Sequence, residues 1–215
     1  MINSCFRNHP GFYFHFDILR LFMTPERHKR LTTILSHRQP DLTIVLENVF
    51  DPHNVSAVMR TCDAVGIQDV YILNDRIPPH KKWGYRSSST AAEWLTIHQF
   101  TDAGKCFEEV RKRYSKICAT RLTEDAVDLF KLDLSQSVAL VFGNETFGVS
   151  DEIMGYCDGN FMIPQVGIIK SLNISVACAV SLYEAFRQKM MKGHYLEQRI
   201  AKEELSKLNK AWGLE

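Results

Sequence analysis

The stretch Leu42-Thr-Ile-Val-Leu-Glu-Asn-Val-Phe-Asp-Pro-His-Asn-Val-Ser-Ala-Val-Met-Arg-Thr-Cys-Asp-Ala-Val-Gly66 decides the fold class. Its first five residues form a short apolar run of β-forming side chains between polar flanks, the pattern of a buried strand. Val55, Val58, Met59, Cys62 and Val65 then recur at helical spacing on one face, with Asn54 placed to cap the helix and Gly66 to stop it. A strand followed at once by a helix that lies back over the sheet is the repeating unit of a parallel α/β layer.

The alternation extends in both directions. Upstream, Thr24 can cap a helix, Pro25 suits its first turn and Glu26 complements its dipole, so a helix is expected to about His37. Residues 1–22 lack periodicity and are read as an N-terminal extension ahead of a working start at Met23. Downstream, strands are expected over residues 70–73, 94–98, 116–120, 138–142 and 161–163. Helices are expected over 102–114, after a Ser150 cap, and over 172–192 with Gly193 closing the last. The expected architecture is α/β, a parallel sheet covered by helices on both faces. It divides into an N-terminal helix (23–40), a central domain (41–195) and a charged C-terminal helix within 196–215.

At 215 residues, 45% hydrophobic and 24% charged, the chain can bury the core of one domain with small appendages. Lys plus Arg (26) nearly cancels Asp plus Glu (25), and a net charge of +1 argues against a protein that coats nucleic acid indiscriminately. Contact with RNA would fall to local clusters: Arg27-His28-Lys29-Arg30, Lys81-Lys82 with Arg86, and Arg111-Lys112-Arg113. Taken alone, each is more often a solvated helix or loop face than a binding patch. The six cysteines never approach at metal-ribbon spacing, so neither a metal site nor a disulfide framework is expected. The aromatic opening from Phe12 to Phe22 is broken by His15, Asp17 and Arg20 and is too short for a membrane span. A cytoplasmic protein with no membrane partner is expected.

Parallel α/β folds bind ligands where their strands end, so the chemistry belongs to the loops that follow strands. Three loops stand out: the one leading through Asn54 to Arg60, Gly143 to Gly148, and Pro164 to Asn173. No G-x-G-x-x-G and no phosphate-binding G-x-x-x-x-G-K-[ST] occurs, which argues against a dinucleotide dehydrogenase or a P-loop phosphotransferase. A serine-hydrolase elbow is missing too. Taken singly, Asn54 and Asn173 are readable as helix caps, Arg60 as a solvated helix arginine and Glu145 as a loop acid.

Taken together and in order, Asn54-Val-Ser-Ala-Val-Met-Arg60, Phe142-Gly-Asn-Glu-Thr-Phe-Gly148 and Ser171-Leu-Asn-Ile-Ser-Val-Ala177 resemble the three motifs of the SpoU/TrmH methyltransferases, a branch of the knotted SPOUT superfamily. The resemblance covers about residues 24–195. Lys170, Asn144 and Thr146 depart from the motifs. It implies a SPOUT fold with a deep C-terminal trefoil knot, a homodimer, and S-adenosylmethionine as cofactor, held by backbone groups at positions matching Thr120, Gly143, Ile163 and Leu172. It places Arg60 at the centre of catalysis, with Asn54, Glu145, Ser171 and Asn173 orienting it and the nucleophile. The implied reaction is 2′-O-methylation of an RNA ribose. Arg38-Gln-Pro-Asp-Leu-Thr43 and Asp51-Pro-His-Asn-Val-Ser56 further resemble the subfamily that modifies guanosine 18 in the D-loop of tRNA. Alternatives are the same reaction on ribosomal RNA (rRNA), a non-catalytic RNA-binding member of the fold, and a flavodoxin-like module without RNA. The early part of the helix over 172–192 is apolar nearly all round, so a partner subunit is expected to cover it near Tyr183 and Phe186.

Overall fold

The structure is a computed structural model that describes residues 23–80 and 91–215. The N-terminal extension, the Lys81-Lys82-Arg86 cluster and most of the polar loop before residue 92 lie outside the described residues.

Among the described residues, seven strands form one parallel sheet in the order β3-β2-β1-β6-β4-β7-β5. They are β1 (Leu42–Glu47), β2 (Asp69–Leu73), β3 (Thr96–Phe100), β4 (Lys116–Thr120), β5 (Val127–Asp128), β6 (Val138–Phe142) and β7 (Gly159–Met162). The helices are α1 (Pro25–Ser36), α2 (Pro52–Ala64), α3 (Ala103–Arg113), the single turn α4 (Asp151–Met154), α5 (Ile174–Met191) and α6 (Lys202–Ala211). Central β1 pairs in register with β2 and β6, Val45 facing both Tyr71 and Val141.

Strand alternation sorts the core into two halves. Leu42, Ile44 and Leu46 join Val70, Ile72, Leu140 and Phe142 on the face covered by α2 and α5. Val45, Tyr71, Ala139 and Val141 lie on the face covered by α3 and α4. Each fully buried aliphatic side chain here contributes roughly 1.5–3 kcal/mol of transfer free energy. Double coverage accounts for the nearly unbroken apolar runs of β1 and β6, both buried along their whole length.

Several boundaries differ from the sequence expectations. Asn54 is not the cap of α2: Asp51 is, its side chain accepting from His53 N, with Pro52 opening the helix. β3 runs two residues later than expected because it follows a 3-10 turn at Ala91–Glu93 and is held by its ladder with β2, Asp69 opposite Thr96. β7 is Gly159–Met162 rather than 161–163, and α5 starts at Ile174, with Asn173 as its cap. Two-residue β5 was too short to carry a periodic signal. The C-terminal segment is helical only over Lys202–Ala211.

The described residues pack as two units: those within 39–194, and the terminal segments 23–38 and 195–215. Within the terminal unit, Arg38 is fully buried with its guanidinium 5.2 Å from the Trp212 ring centroid, and His28 Nε2 lies 3.3 Å from the Leu214 carbonyl. Among the described residues no helix is long and apolar enough to cross a membrane, and no group of three or more His, Cys, Asp or Glu side chains is placed to hold a metal.

Candidate active site

The carboxyl ends of β4, β6 and β7 open onto one cavity of about 550 Å³, lined by Thr120 and Arg121, residues 142–149, Phe161 to Ile163, and part of segment 165–177. Its volume falls within the range of small-molecule and cofactor sites. The cavity lies inside the larger packing unit.

The loop after β6 is built by backbone proximity. A Cβ placed on Gly143 would lie 2.1 Å from the Gly148 carbonyl carbon, so only glycine lets the two ends of this loop close. Gly148 itself has φ +69°. Asn144 stitches the turn: its Oδ1 accepts from Thr146 N (2.8 Å) and Phe147 N (3.3 Å), and its carbonyl accepts from Gly148 N. Asn144 Nδ2 donates 2.9 Å to the carbonyl of Asn48, a residue at φ +49° whose side chain is tied to Asp75 Oδ1 and Arg76 N. Buried Glu47 accepts from Ser150 N at 3.0 Å. Burial pushes the Glu47 carboxyl above its ordinary value, against the opposing bonds from Ser150. The ends of β1 and β6 are thus cross-linked by side chains as well as by the ladder.

A second chain of hydrogen bonds joins the three sequence segments. Glu145 accepts from Phe50 N (3.1 Å), Asp51 N (3.4 Å) and Asn54 Nδ2 (2.9 Å). Asn54 Oδ1 in turn accepts from Asn173 Nδ2 at 3.2 Å, while Asn173 Oδ1 caps α5 by accepting from Ser175 N and Oγ. Partial burial raises the Glu145 pKa, but the bonds from Asn54 and the backbone amides outweigh it and hold the carboxyl below its usual range. Glu145 is therefore an ionised anchor whose lone pairs are engaged.

The site expectations fare unevenly in placement. Thr120, Gly143, Glu145, Ile163, Ser171, Leu172 and Asn173 all line the cavity. Asn54 reaches its rim through Glu145 and Asn173. Arg60 does not line the cavity; it sits on α2 as an exposed residue two turns beyond the capped end. Sequence reasoning missed Asn48, whose signal was an Asn directly after a strand, able to adopt the left-handed conformation. Arg121 and Gln165, both cavity residues, were also missed.

The cavity suits an adenosine-bearing cofactor. Phe142, Phe161, Ile163, Leu172 and Ile174 give apolar walls for a purine, the glycine-closed loop brings backbone close to the space, and Gln165 Oε1 is buried with no hydrogen-bond partner among the described residues.

Residues 41–183 match the model of the SpoU rRNA methylase family. The chain belongs to that family. Its relatives include a tRNA (guanosine(18)-2′-O)-methyltransferase from Thermus thermophilus, 38% identical over 88% of this chain and 96% of that protein. Among solved structures it is similar to the A. aeolicus TrmH/SpoU tRNA modifying enzyme (TM-score 0.81, 36% identity, 87% of this chain and 95% of that one). It is also similar to the SpoU methyltransferase AviRb from Streptomyces viridochromogenes in complex with AdoMet (TM-score 0.63, 26% identity, 69% and 57% of the two chains). The Asn54–Glu145–Asn173 chain ties together the three segments on which the sequence resembles this family.

Proposed function

We propose that this chain is an S-adenosylmethionine-dependent RNA 2′-O-methyltransferase that acts on guanosine 18 of tRNA. The observation that carries the reading is the hydrogen-bond chain Asn54–Glu145–Asn173 at the rim of a cofactor-sized cavity. The naming of relatives as tRNA (guanosine(18)-2′-O)-methyltransferases supports the substrate.

Backbone groups at Gly143, Ile163 and Leu172, with Thr120, would hold the cofactor. When bound, S-adenosylmethionine supplies a sulfonium-activated methyl group. The chain's work is then alignment, exclusion of water and handling of the ribose hydroxyl proton. Arg60 is assigned to the nucleophile. A guanidinium with a pKa above about 12 is a poor base, and its fork of donors suits a phosphate and a developing alkoxide. Glu145, with three donors on its carboxylate, positions Asn54 rather than taking the proton. Asn54, Ser171 and Asn173 orient the ribose.

The reading includes a homodimer, a C-terminal trefoil knot and a cytoplasmic setting. Val176, Tyr183 and Met190, spaced by seven residues on α5, are 46%, 54% and 49% exposed and form one apolar stripe. Such a stripe is suited to a second copy, which would also bring a neighbouring Arg60 within reach of the shared site. The test is calorimetry with S-adenosylmethionine followed by transfer of labelled methyl to total tRNA and to rRNA. Binding and transfer to tRNA are expected; methylation of rRNA alone would move the reading to the ribosomal reaction, and binding without transfer would favour a non-catalytic member.

A further inference from the structure

The Gln165 side chain has its Oε1 buried and without a hydrogen-bond partner among the described residues, and the same residue lines the cavity. A buried acceptor left unsatisfied costs about 1–3 kcal/mol, a cost that native structures rarely carry without a use for the group. Among the described residues no protein donor meets the atom, and a ligand in the cavity that Gln165 lines is the nearest source of one.

We propose that Gln165 is a cofactor-recognition residue, its amide accepting a hydrogen bond from a neutral donor on the adenosine half of the cofactor, either the purine 6-amino group or a ribose hydroxyl. The inference rests on the function proposed above. Chemistry selects the donor class. A lone neutral amide oxygen is poor compensation for a desolvated ammonium, so the methionine amino group is a mismatch. An N–H or O–H of a nucleoside needs only one neutral acceptor. The neighbouring apolar walls of Phe161 and Ile163 suit a purine nucleoside and offer it no polar partner of their own beyond the backbone. Gln165 would therefore contribute selectivity for the base or sugar, as a well-placed polar group does in a ligand pocket.

The orphaned state gives this proposal a signature that a structural role would not share. Removing the acceptor relieves a penalty in the free protein and removes a bond only in the complex. Gln165→Met keeps the length of the side chain and loses the amide. The full chain and this variant are titrated with S-adenosylhomocysteine by calorimetry, and melting is followed with and without it. The expected result is an unchanged or raised melting temperature in the free variant, with affinity weakened about tenfold and a smaller ligand-induced shift. Gln165→Glu, which keeps an acceptor at the same reach, recovers part of the loss. Titration with the 6-oxo purine analogue assigns the donor: non-additive losses in variant and analogue point to the 6-amino group, and additive losses to a ribose hydroxyl. A variant that binds S-adenosylhomocysteine as tightly as the wild type, or that melts lower without ligand, overturns the proposal. Failure of the wild-type chain to bind at all would instead overturn the proposed function.

Discussion

At the scale of single residues, the proposed function gives Arg60 the chemistry and Glu145 the positioning. Arg60 is exposed and away from the cavity wall, so Arg60→Ala should leave cofactor affinity nearly unchanged while lowering single-turnover methyl transfer by more than about tenfold, the equivalent of over about 1.4 kcal/mol of barrier. A smaller loss would remove it from the centre of the mechanism. Arg60→Lys keeps charge and loses the bidentate fork; activity that returns with a lysine-like titration would favour proton abstraction over alkoxide stabilisation. Glu145 makes a pH prediction. Its carboxyl is held below the ordinary range when folded, so it binds its proton more readily when unfolded. Its stabilising contribution is complete above the unfolded value and drains away as pH falls through the lowered folded one. Thermal melts of Glu145→Gln and wild type should differ most near neutrality and converge on acidification. A gap that stays constant with pH would mean that the charge is irrelevant.

At the scale of elements, the loop after β6 is the part most sensitive to substitution. Gly143→Ala places a methyl group 2.1 Å from the Gly148 backbone, and backbone cannot yield as a side-chain tip can. Overpacking of this kind costs about 1–3 kcal/mol, and the displaced loop should weaken S-adenosylhomocysteine binding at least tenfold by calorimetry. Wild-type affinity in that variant would show that the loop does not frame the cofactor. The same elements show what could be read from sequence. β4, β6 and the Ser150-capped turn lie where periodicity and capping put them, because long apolar runs and Ser-Asp-Glu starts are local signals. The start of α2 was misplaced although Asp51-Pro52 repeats the signal correctly read in Thr24-Pro25. The consequence is functional: with Asp51 as the cap, the Asn54 amide is released to bond Glu145 and Asn173. Those contacts join positions 91 and 119 residues apart, a separation that local patterns cannot span. The Asn173 cap at α5 was legible, and its second bond was not.

At the scale of the whole molecule, the exposed stripe of Val176, Tyr183 and Met190 on α5 is where the proposed function puts a second copy of the chain. Phe186 is half-buried and packs on the core, with its ring 5.9 Å from that of Tyr183, so a charge placed there would damage the fold as well as any interface. Tyr183, 54% exposed, is the cleaner probe. Tyr183→Glu should shift sedimentation equilibrium toward monomer and depress methyl transfer together while leaving the melting temperature close to wild type. A fully active monomer would refute the dimeric site. The most direct test of the central claim is to incubate a defined tRNA with the purified chain and S-adenosylmethionine and locate the product by mass spectrometry, beside a tRNA carrying 2′-deoxyguanosine at the target. The account predicts one new methyl group on the ribose of guanosine 18, none on the deoxy substrate and none with Arg60→Ala; a methyl group on the base, or one that persists on the deoxy substrate, would contradict it.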